Sequence, residues 1–363
     1  MDFKGKPPEK ILVIKPSSLG DVIHSLPFLN AIRKCFPGAK LHWIIAKPFG
    51  ELLEGHPMID KLWVMDKDQW KKISRARETA GEIKALYKGL RAEGFDIAVD
   101  LQGLLRSGLI AAASGAKIRV GLRGFKEARE GSRLFYTHSV DTGGYGPIEK
   151  TEAGKYVHAV DRYLRVAEFL GCDISEVRFP LPDAGDKDIG DVLDGGRAPN
   201  TAGGRGPYAV MVPGAKWQSK RWPAERFGEL AMRLAKDTGI KSLIVGTKAD
   251  EKTADEIAAA SGGSAVSLTG KTGLKELISI IKGARFVVST DSGPVHIAAA
   301  LGVPLFALFG PTSHLRTGPY GGRSAIIMSG VPCSPCFKKK CKDLKCMNGI
   351  SVDMAYNLIM KAV

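Results

Sequence analysis

Short apolar runs alternate with longer amphipathic stretches through most of this 363-residue sequence. Runs rich in β-branched residues predict buried strands, and apolar residues that recur every three or four positions predict helices. In the first half, the predicted strands are 10–15, 40–46, 61–66, 95–103 and 117–122, and the predicted helices are 22–35, 69–93, 104–114 and 153–171. In the second half, the predicted strands are 208–215, 241–247, 265–270, 286–290 and 305–310, and the predicted helices are 224–237, 249–260, 273–282 and 295–301.

This alternation predicts an α/β fold with two Rossmann-like, doubly wound domains that face each other across a cleft. A stretch rich in Gly, Pro and Asp separates the two halves and is typical of a linker. The predicted organisation is an N-terminal domain over 1–182, a linker or exposed loop over 183–207, a C-terminal domain over 208–335, and a Cys- and Lys-rich segment with a C-terminal helix over 336–363.

The stretch 286–312 is the most informative part of the sequence, because its pattern is strand, turn, helix, strand, turn. Ligands bind at the carboxyl edge of a parallel sheet, and free N–H groups at a helix N-terminus favour phosphate. The first turn and the helix start that follows it contain Asp291, Ser292, Gly293 and His296. The alternative is an ordinary capped helix of a Rossmann-like domain.

Three further charged residues follow predicted strands. Asp21 lies at the start of the first helix, where a carboxylate serves as a helix cap or, if it points outward, as a general base. Lys220 lies in the loop 213–223 and is either a phosphate partner or a surface lysine. Asp250 or Glu251 opens a helix and is either a ribose contact or a solvated helix start.

The net charge of +15 indicates an anionic partner, such as a phosphorylated ligand or an anionic membrane surface. Nucleic acid is the weaker candidate, because the sequence has no nucleic-acid-binding signature. Basic residues outnumber acidic ones over 61–133, and most of them are expected on a solvated face. No apolar run is long enough to span a bilayer or to form a signal peptide, so we expect a cytoplasmic protein.

Four of the six cysteines, Cys333, Cys336, Cys341 and Cys346, cluster near one end of the chain. In a cytoplasmic protein this clustering favours a structural zinc or iron–sulfur site over disulfides. The spacing fits no standard zinc pattern closely, so free thiols or a stapled loop stay open as alternatives. Cys35 and Cys172 are expected to be ordinary helix residues.

Five segments match a known enzyme family in order along the chain. They are ILVIKPSSLGDVIHSLP (11–27), DLQGLLRSGLIA (100–111), HAVDRYL (158–164), PGAKWQSKRWP (213–223) and STDSGPVHIAAALGVPLFALFGPT (289–312). Through them the chain resembles the ADP-heptose:lipopolysaccharide heptosyltransferases, glycosyltransferase family 9, which have the GT-B fold. The motifs ARE (128–130), LFYTH (134–138) and HAVDR (158–162) resemble the enzyme that adds the first heptose to Kdo of lipid A, whereas PGA and KRWP resemble the second-heptose enzyme as well.

The resemblance implies an inverting transfer of heptose from ADP-L-glycero-D-manno-heptose to the Kdo region of the lipopolysaccharide inner core, without a cofactor or an active-site metal. It implies Asp21 as the general base and the C-terminal domain as the donor domain. The expected donor-binding residues are Lys220, Thr290, Asp291, Ser292, Gly293, His296 and Glu251. The expected acceptor-binding residues, all in the basic N-terminal domain, are Arg75, Arg77, Arg106, Arg129, His158 and Arg162.

The implied partners are ADP-heptose, an acceptor of the Kdo-lipid A type and the anionic inner-membrane surface, on which the protein would be peripheral. One alternative is heptosyltransferase II or another GT-B transferase that uses a different nucleotide sugar and a cell-envelope acceptor. The other is a non-catalytic protein that binds sugar nucleotides or lipopolysaccharide. The joint presence of Asp21, Lys220, Asp291 and His296 argues against this last reading.

Overall fold

The structure, a computed structural model, describes residues 3, 5–66, 68–71, 73–123, 131–143, 157–182, 200–201, 204–205 and 207–362. The chain divides into two compact units, Met1–Pro182 and Asp183–Val363. None of the helices within the described ranges combines the length and the apolarity that a membrane crossing needs.

The first unit is built on a parallel sheet of six strands. The strands are β1 Lys10–Ile14, β2 Lys40–Ala46, β3 Lys61–Met65, β4 Ile97–Asp100, β5 Ile118–Arg123 and β6 His138–Asp141, in the spatial order β3-β2-β1-β4-β5-β6. The helices are α1 Leu19–His24, α2 Leu26–Cys35, α3 Ala76–Glu93, α4 Leu105–Ala113 and α5 Ala159–Phe169. The strand order reverses between β1 and β4, which places a ligand crevice at the carboxyl ends of these two strands.

The second unit repeats this architecture. Its strands are β9 Tyr208–Val212, β10 Lys241–Ile244, β11 Ala265–Ser267, β12 Phe286–Thr290, β13 Leu305–Leu308 and β14 Ser324–Ile327, in the parallel order β11-β10-β9-β12-β13-β14. Its helices are α6 Ala224–Thr238, α7 Glu251–Ala260, α8 Leu274–Lys282, α9 Gly293–Ala300, α10 His314–Thr317, α11 Lys345–Asn348 and α12 Val352–Met360. The predicted α/β class with two doubly wound domains is confirmed.

Burial explains why the central strands were readable from sequence. Residues 11–14 of β1 and 286–290 of β12 are fully buried, because both faces of a parallel sheet are covered by helices. Such strands need continuous apolar runs, and these runs were the signal used for the prediction.

The predicted helix over 22–35 is wrong in one respect, because the structure has two helices that meet at Ser25. Pro27 lies in the first turn of α2, where its missing N–H costs nothing. Inside a single continuous helix, the same proline would remove a hydrogen bond and collide with the preceding turn. The break confines Asp21 to the six-residue helix α1.

Sequence reasoning missed the last strand of each sheet, β6 and β14. Each has only four residues and a single buried position, because these strands lie at a sheet edge. The segment predicted as a linker contains a short antiparallel pair, β7 Asn200–Thr201 with β8 Gly204–Arg205. Most of its other residues lie outside the described ranges.

Candidate active site

Three loops of the second unit meet at the carboxyl edge of its sheet. They follow β9, β12 and β13, which are consecutive neighbours in the sheet. The first loop, 213–223, carries Lys220; the second, Asp291–Gly293, leads into α9; the third contains Thr312.

Asp291 joins these loops. Its Oδ2 lies 2.6 Å from Lys220 Nζ and accepts a hydrogen bond from Thr312 Oγ1. The Asp291 side chain is buried and that of Lys220 is largely so, at 7% and 17% exposure, so this is an ion pair with restricted access to water. A buried charge needs a partner to offset its desolvation, and the pair therefore fixes the ammonium group beside the start of α9.

The remaining predicted donor residues lie around the same turn. Thr290 Oγ1 donates to Gly214 O at 3.0 Å, which ties β12 to the first loop. Ser292 is the N-cap of α9, Gly293 begins the helix, and His296 is buried within its first turn and a half. The structure thus brings Lys220, Thr290, Asp291, Ser292, Gly293 and His296 together.

Asp250 and Glu251 have different environments. Asp250 is buried, accepts hydrogen bonds from Thr247 N at 3.1 Å and Thr247 Oγ1 at 2.8 Å, and forms an ion pair with Arg221 at 3.2 Å. A Cβ at Gly214 would lie 2.7 Å from the Asp250 carboxylate, so only glycine at position 214 lets the first loop come this close to Asp250. Glu251 is exposed at the start of α7 and is the more accessible carboxylate of the two.

A segment near the C-terminus supports the Lys220 loop and was not expected from the sequence. Ser219 is buried, and its Oγ donates to Lys338 O at 2.7 Å. Two ammonium groups lie near the indole ring of Trp217. Lys220 Nζ is 4.7 Å from the ring centroid, and Lys339 Nζ of the C-terminal segment is 5.8 Å from it. Both distances are within the range of cation–π attraction.

The same segment, Ser334–Lys339, also holds the loop after β13, and we call it the brace segment. Cys336 N and Phe337 N both donate to Pro311 O, at 3.1 and 2.8 Å, and Ser334 Oγ donates to Gly310 O. The brace segment is therefore hydrogen-bonded to two of the three loops that surround Asp291.

In the first unit, Asp21 lies at the carboxyl edge of β1, as predicted. Its Oδ2 accepts hydrogen bonds from Ser18 N at 3.0 Å and Ser18 Oγ at 2.7 Å, which is a helix-start contact. The side chain is nevertheless half-exposed, so the cap and a chemical role are compatible.

Sequence reasoning missed Lys15, which looked like the last residue of a strand. It is buried, its Nζ donates to Leu101 O at 3.0 Å, and it lies 4.8 Å from the Tyr163 ring centroid. Burial raises the pKa of Tyr163, the charge of Asp21 adds to this rise, and Lys15 and Arg162 oppose it. These four groups therefore share one electrostatic environment around the first βα turn.

The predicted acceptor residues fall into two kinds. His158 caps α5, with Nδ1 accepting from Val160 N at 3.2 Å, and Arg162 is only 3% exposed. Both are thus built into the fold of the first unit, and neither is a freely exposed cation.

The arginines also differ from one another. Arg75 forms ion pairs with Glu78 and with Glu82, the latter at 3.2 Å, so its charge is compensated locally. Arg77 and Arg106 are exposed on α3 and α4. Arg129 lies outside the described residues.

The four clustered cysteines lie in the brace segment and on either side of it. Cys333 and Cys341 are exposed, Cys336 is half-buried and Cys346 is buried, and burial raises the pKa of the Cys346 thiol. Within the described part of the chain, no three His, Cys, Asp or Glu side chains are placed to hold a metal ion. A structural metal at these cysteines stays a prediction.

Two doubly wound domains, with a lysine held at a helix start in the second, are the layout of GT-B glycosyltransferases. Escherichia coli heptosyltransferase WaaC with ADP-2-deoxy-2-fluoro heptose superimposes with a TM-score of 0.72 at 25% identity, covering 98% of this chain and 100% of that one. The predicted GT-B class is confirmed, and the protein is a glycosyltransferase.

Sequence comparison places the chain more narrowly. The profile of glycosyltransferase family 9 (heptosyltransferase) matches residues 83–347. Lipopolysaccharide heptosyltransferase 1 of Pseudomonas aeruginosa is 30% identical over 92% of this chain and 87% of its own length. The enzyme of that name from Escherichia coli K12 is 30% identical over 87% of this chain and 92% of its own length. The chain belongs to glycosyltransferase family 9, the heptosyltransferases.

Proposed function

We propose that this protein transfers a heptose from ADP-L-glycero-D-manno-heptose to the Kdo region of the lipopolysaccharide inner core. Relatives that carry the name lipopolysaccharide heptosyltransferase 1 align with most of the chain, and the similar WaaC structure holds an ADP-heptose analogue. The observation that carries the proposal is the Lys220–Asp291 pair at the start of α9, because it fixes an ammonium group beside the free N–H groups of that helix start, where a diphosphate would bind.

In this proposal the donor binds to the second unit. The diphosphate replaces part of the Asp291 contact to Lys220 and accepts hydrogen bonds from the backbone N–H groups at Ser292 and Gly293. Thr290 and His296 border this position, and Glu251 binds a ribose hydroxyl.

The reaction is one displacement. The acceptor hydroxyl oxygen bonds to the anomeric carbon while the bond from that carbon to the ADP oxygen breaks, which inverts the anomeric configuration. Asp21 takes the proton of the attacking hydroxyl. Negative charge grows on the departing ADP, and Lys220 and the helix-start N–H groups stabilise it more in the transition state than in the ground state. We expect no metal requirement, so that a chelator leaves the initial rate unchanged.

The acceptor binds to the first unit, whose exposed Arg77 and Arg106, together with Arg129, attract its anionic groups. His158 packs its ring on His24 of α1, with centroids 5.0 Å apart, and so positions the first βα turn, while Arg162 is buried in the same helix as His158. We propose that the protein works at the cytoplasmic face of the inner membrane, held loosely by the attraction of these basic residues to anionic lipid.

A panel of donors and acceptors tests the function. ADP-heptose, other ADP-sugars and UDP-sugars are each incubated with Kdo-lipid A and with its heptosylated form, and products are read by mass spectrometry. We expect turnover with ADP-heptose and Kdo-lipid A. Preference for the heptosylated acceptor would instead identify a second-heptose enzyme, and preference for another nucleotide sugar would identify a different GT-B transferase.

A further inference from the structure

An apolar groove in the first unit is not used by the proposed chemistry. It has a volume of about 420 Å³ and lies between α3 and α4. Its lining includes Trp70, Ile83, Tyr87, Leu105, Arg106 and Leu109. The spacing of these residues along the two helices makes the groove continuous, because residues four apart lie on one helix face: Ile83 with Tyr87, and Leu105 with Leu109.

Two leucines of the groove are unusually accessible. Leu105 is 43% exposed and Leu109 is 40% exposed, and both lie on the same face of α4. Single exposed apolar residues need no explanation, but a contiguous exposed apolar surface in a groove indicates a binding site.

The wall opposite these leucines is held in place. Trp70 Nε1 donates to Glu82 Oε2 at 2.6 Å, and Glu82 Oε1 lies 3.2 Å from Arg75. This chain of contacts gives Arg75 a positioning role for the indole ring, in addition to the charge that the sequence suggested.

The groove also begins at the ligand edge of the sheet. Trp70 follows the carboxyl end of β3, and Leu105 opens the helix that follows the carboxyl end of β4. Arg106, adjacent to Leu105 in the first turn of α4, is exposed and places one positive charge at the groove. An apolar groove beside one guanidinium is complementary to a molecule with a hydrocarbon chain and an anionic head.

We infer that this groove binds an acyl chain of the lipid-linked acceptor, with Arg106 facing an anionic group at the head of that chain. The inference rests on the proposed function, because it assigns the groove to the acceptor of that reaction. Each methylene that the groove removes from water strengthens binding about fourfold. The groove would thus contribute to the acceptor KM and leave the donor site untouched.

The test compares an acylated acceptor in detergent with a fully deacylated acceptor that keeps the same sugars and phosphates. Leu109→Gln should raise the KM for the acylated acceptor about tenfold or more and leave the KM for the deacylated acceptor unchanged. Leu134→Gln is the matched control, because Leu134 belongs to the same unit, is 86% exposed and does not line the groove. The control should leave both values unchanged.

A binding measurement separates this inference from the proposed function. Dodecyl phosphate, titrated below its micelle concentration, should bind the wild type and bind Leu109→Gln and Arg106→Gln more weakly, whereas inorganic phosphate should not distinguish wild type from Leu109→Gln. Equal dodecyl phosphate binding by wild type and Leu109→Gln would overturn the inference. An equal KM of these two proteins for the acylated acceptor would overturn it as well. Absence of turnover with both acceptors, alongside Leu109-dependent dodecyl phosphate binding, would count against the proposed transfer and not against the groove as a hydrocarbon site.

Discussion

Lys220 Nζ lies 2.6 Å from Asp291 Oδ2, although the two residues are 71 positions apart and belong to different loops. The contact joins the loop after β9 to the turn that starts α9. A diphosphate bound there would meet an ammonium group that is already held in place, which lowers the entropy lost on binding.

Replacing Lys220 by Ala should weaken ADP binding roughly ten- to hundredfold, because a hydrogen bond to a charged group is lost. The measurement is a calorimetric titration with ADP. Lys216→Ala is the control, since Lys216 lies exposed in the same loop. Equal ADP affinity in both variants and the wild type would place the donor phosphates elsewhere.

Asp21→Asn should lower kcat by roughly 10² or more, in line with the loss of a general base, and should leave ADP affinity unchanged. The amide oxygen can still accept the Ser18 hydrogen bonds, so the melting temperature should stay close to that of the wild type. Steady-state kinetics measures the fall in kcat, and a thermal melt shows whether the variant is as stable as the wild type. A nearly normal kcat in a folded variant would remove Asp21 from the chemistry.

Ser219→Ala should raise the KM for the donor several-fold and change kcat little. The substitution removes the hydroxyl that binds Lys338 O, so the brace segment holds the Lys220 loop less firmly. Ser261→Ala is a matched control, because Ser261 is also buried in the second unit and also donates to a backbone carbonyl, at 2.7 Å from Ala258 O. If both variants lost donor affinity to the same extent, the effect would reflect general stability and not positioning.

Arg106→Gln should raise the acceptor KM and reduce its dependence on salt, because exposed charges act through a field that is screened over about 8 Å at physiological ionic strength. Arg75→Gln should have a smaller effect on the salt dependence, since Glu78 and Glu82 already compensate that charge. Acceptor KM values from low to high salt give the comparison. A salt-independent KM in the wild type would show that these arginines do not attract the acceptor.

The sequence predicts most of the fold because buried parallel strands require uninterrupted apolar runs, as in β1 and β12. It also places Lys220 and Asp291 at the same edge of one sheet, since both follow its strands, but it does not reveal that their side chains form an ion pair. The edge strands β6 and β14 escape prediction because four residues with a single buried position carry no comparable pattern.

The parts of the candidate site that depend on long-range contacts could not be predicted from the sequence. Trp217 and Lys339 are far apart in the chain, and no local spacing indicates that a Lys-rich segment returns to the donor loop. Lys15 is missed for a different reason: a lysine at the end of an apolar strand resembles an exposed strand end, whereas its ammonium group is buried against Leu101 O. Burial of a charged group depends on partners that only the folded chain supplies.

The central claim is that the protein transfers heptose from ADP-heptose to a Kdo-containing lipid acceptor. Its most direct test is a mass spectrum of Kdo-lipid A after incubation with purified protein and ADP-heptose, with released ADP measured in the same sample. The account predicts an acceptor that is heavier by one heptosyl unit and an equal amount of ADP. An acceptor of unchanged mass, from folded protein that binds ADP, would contradict it.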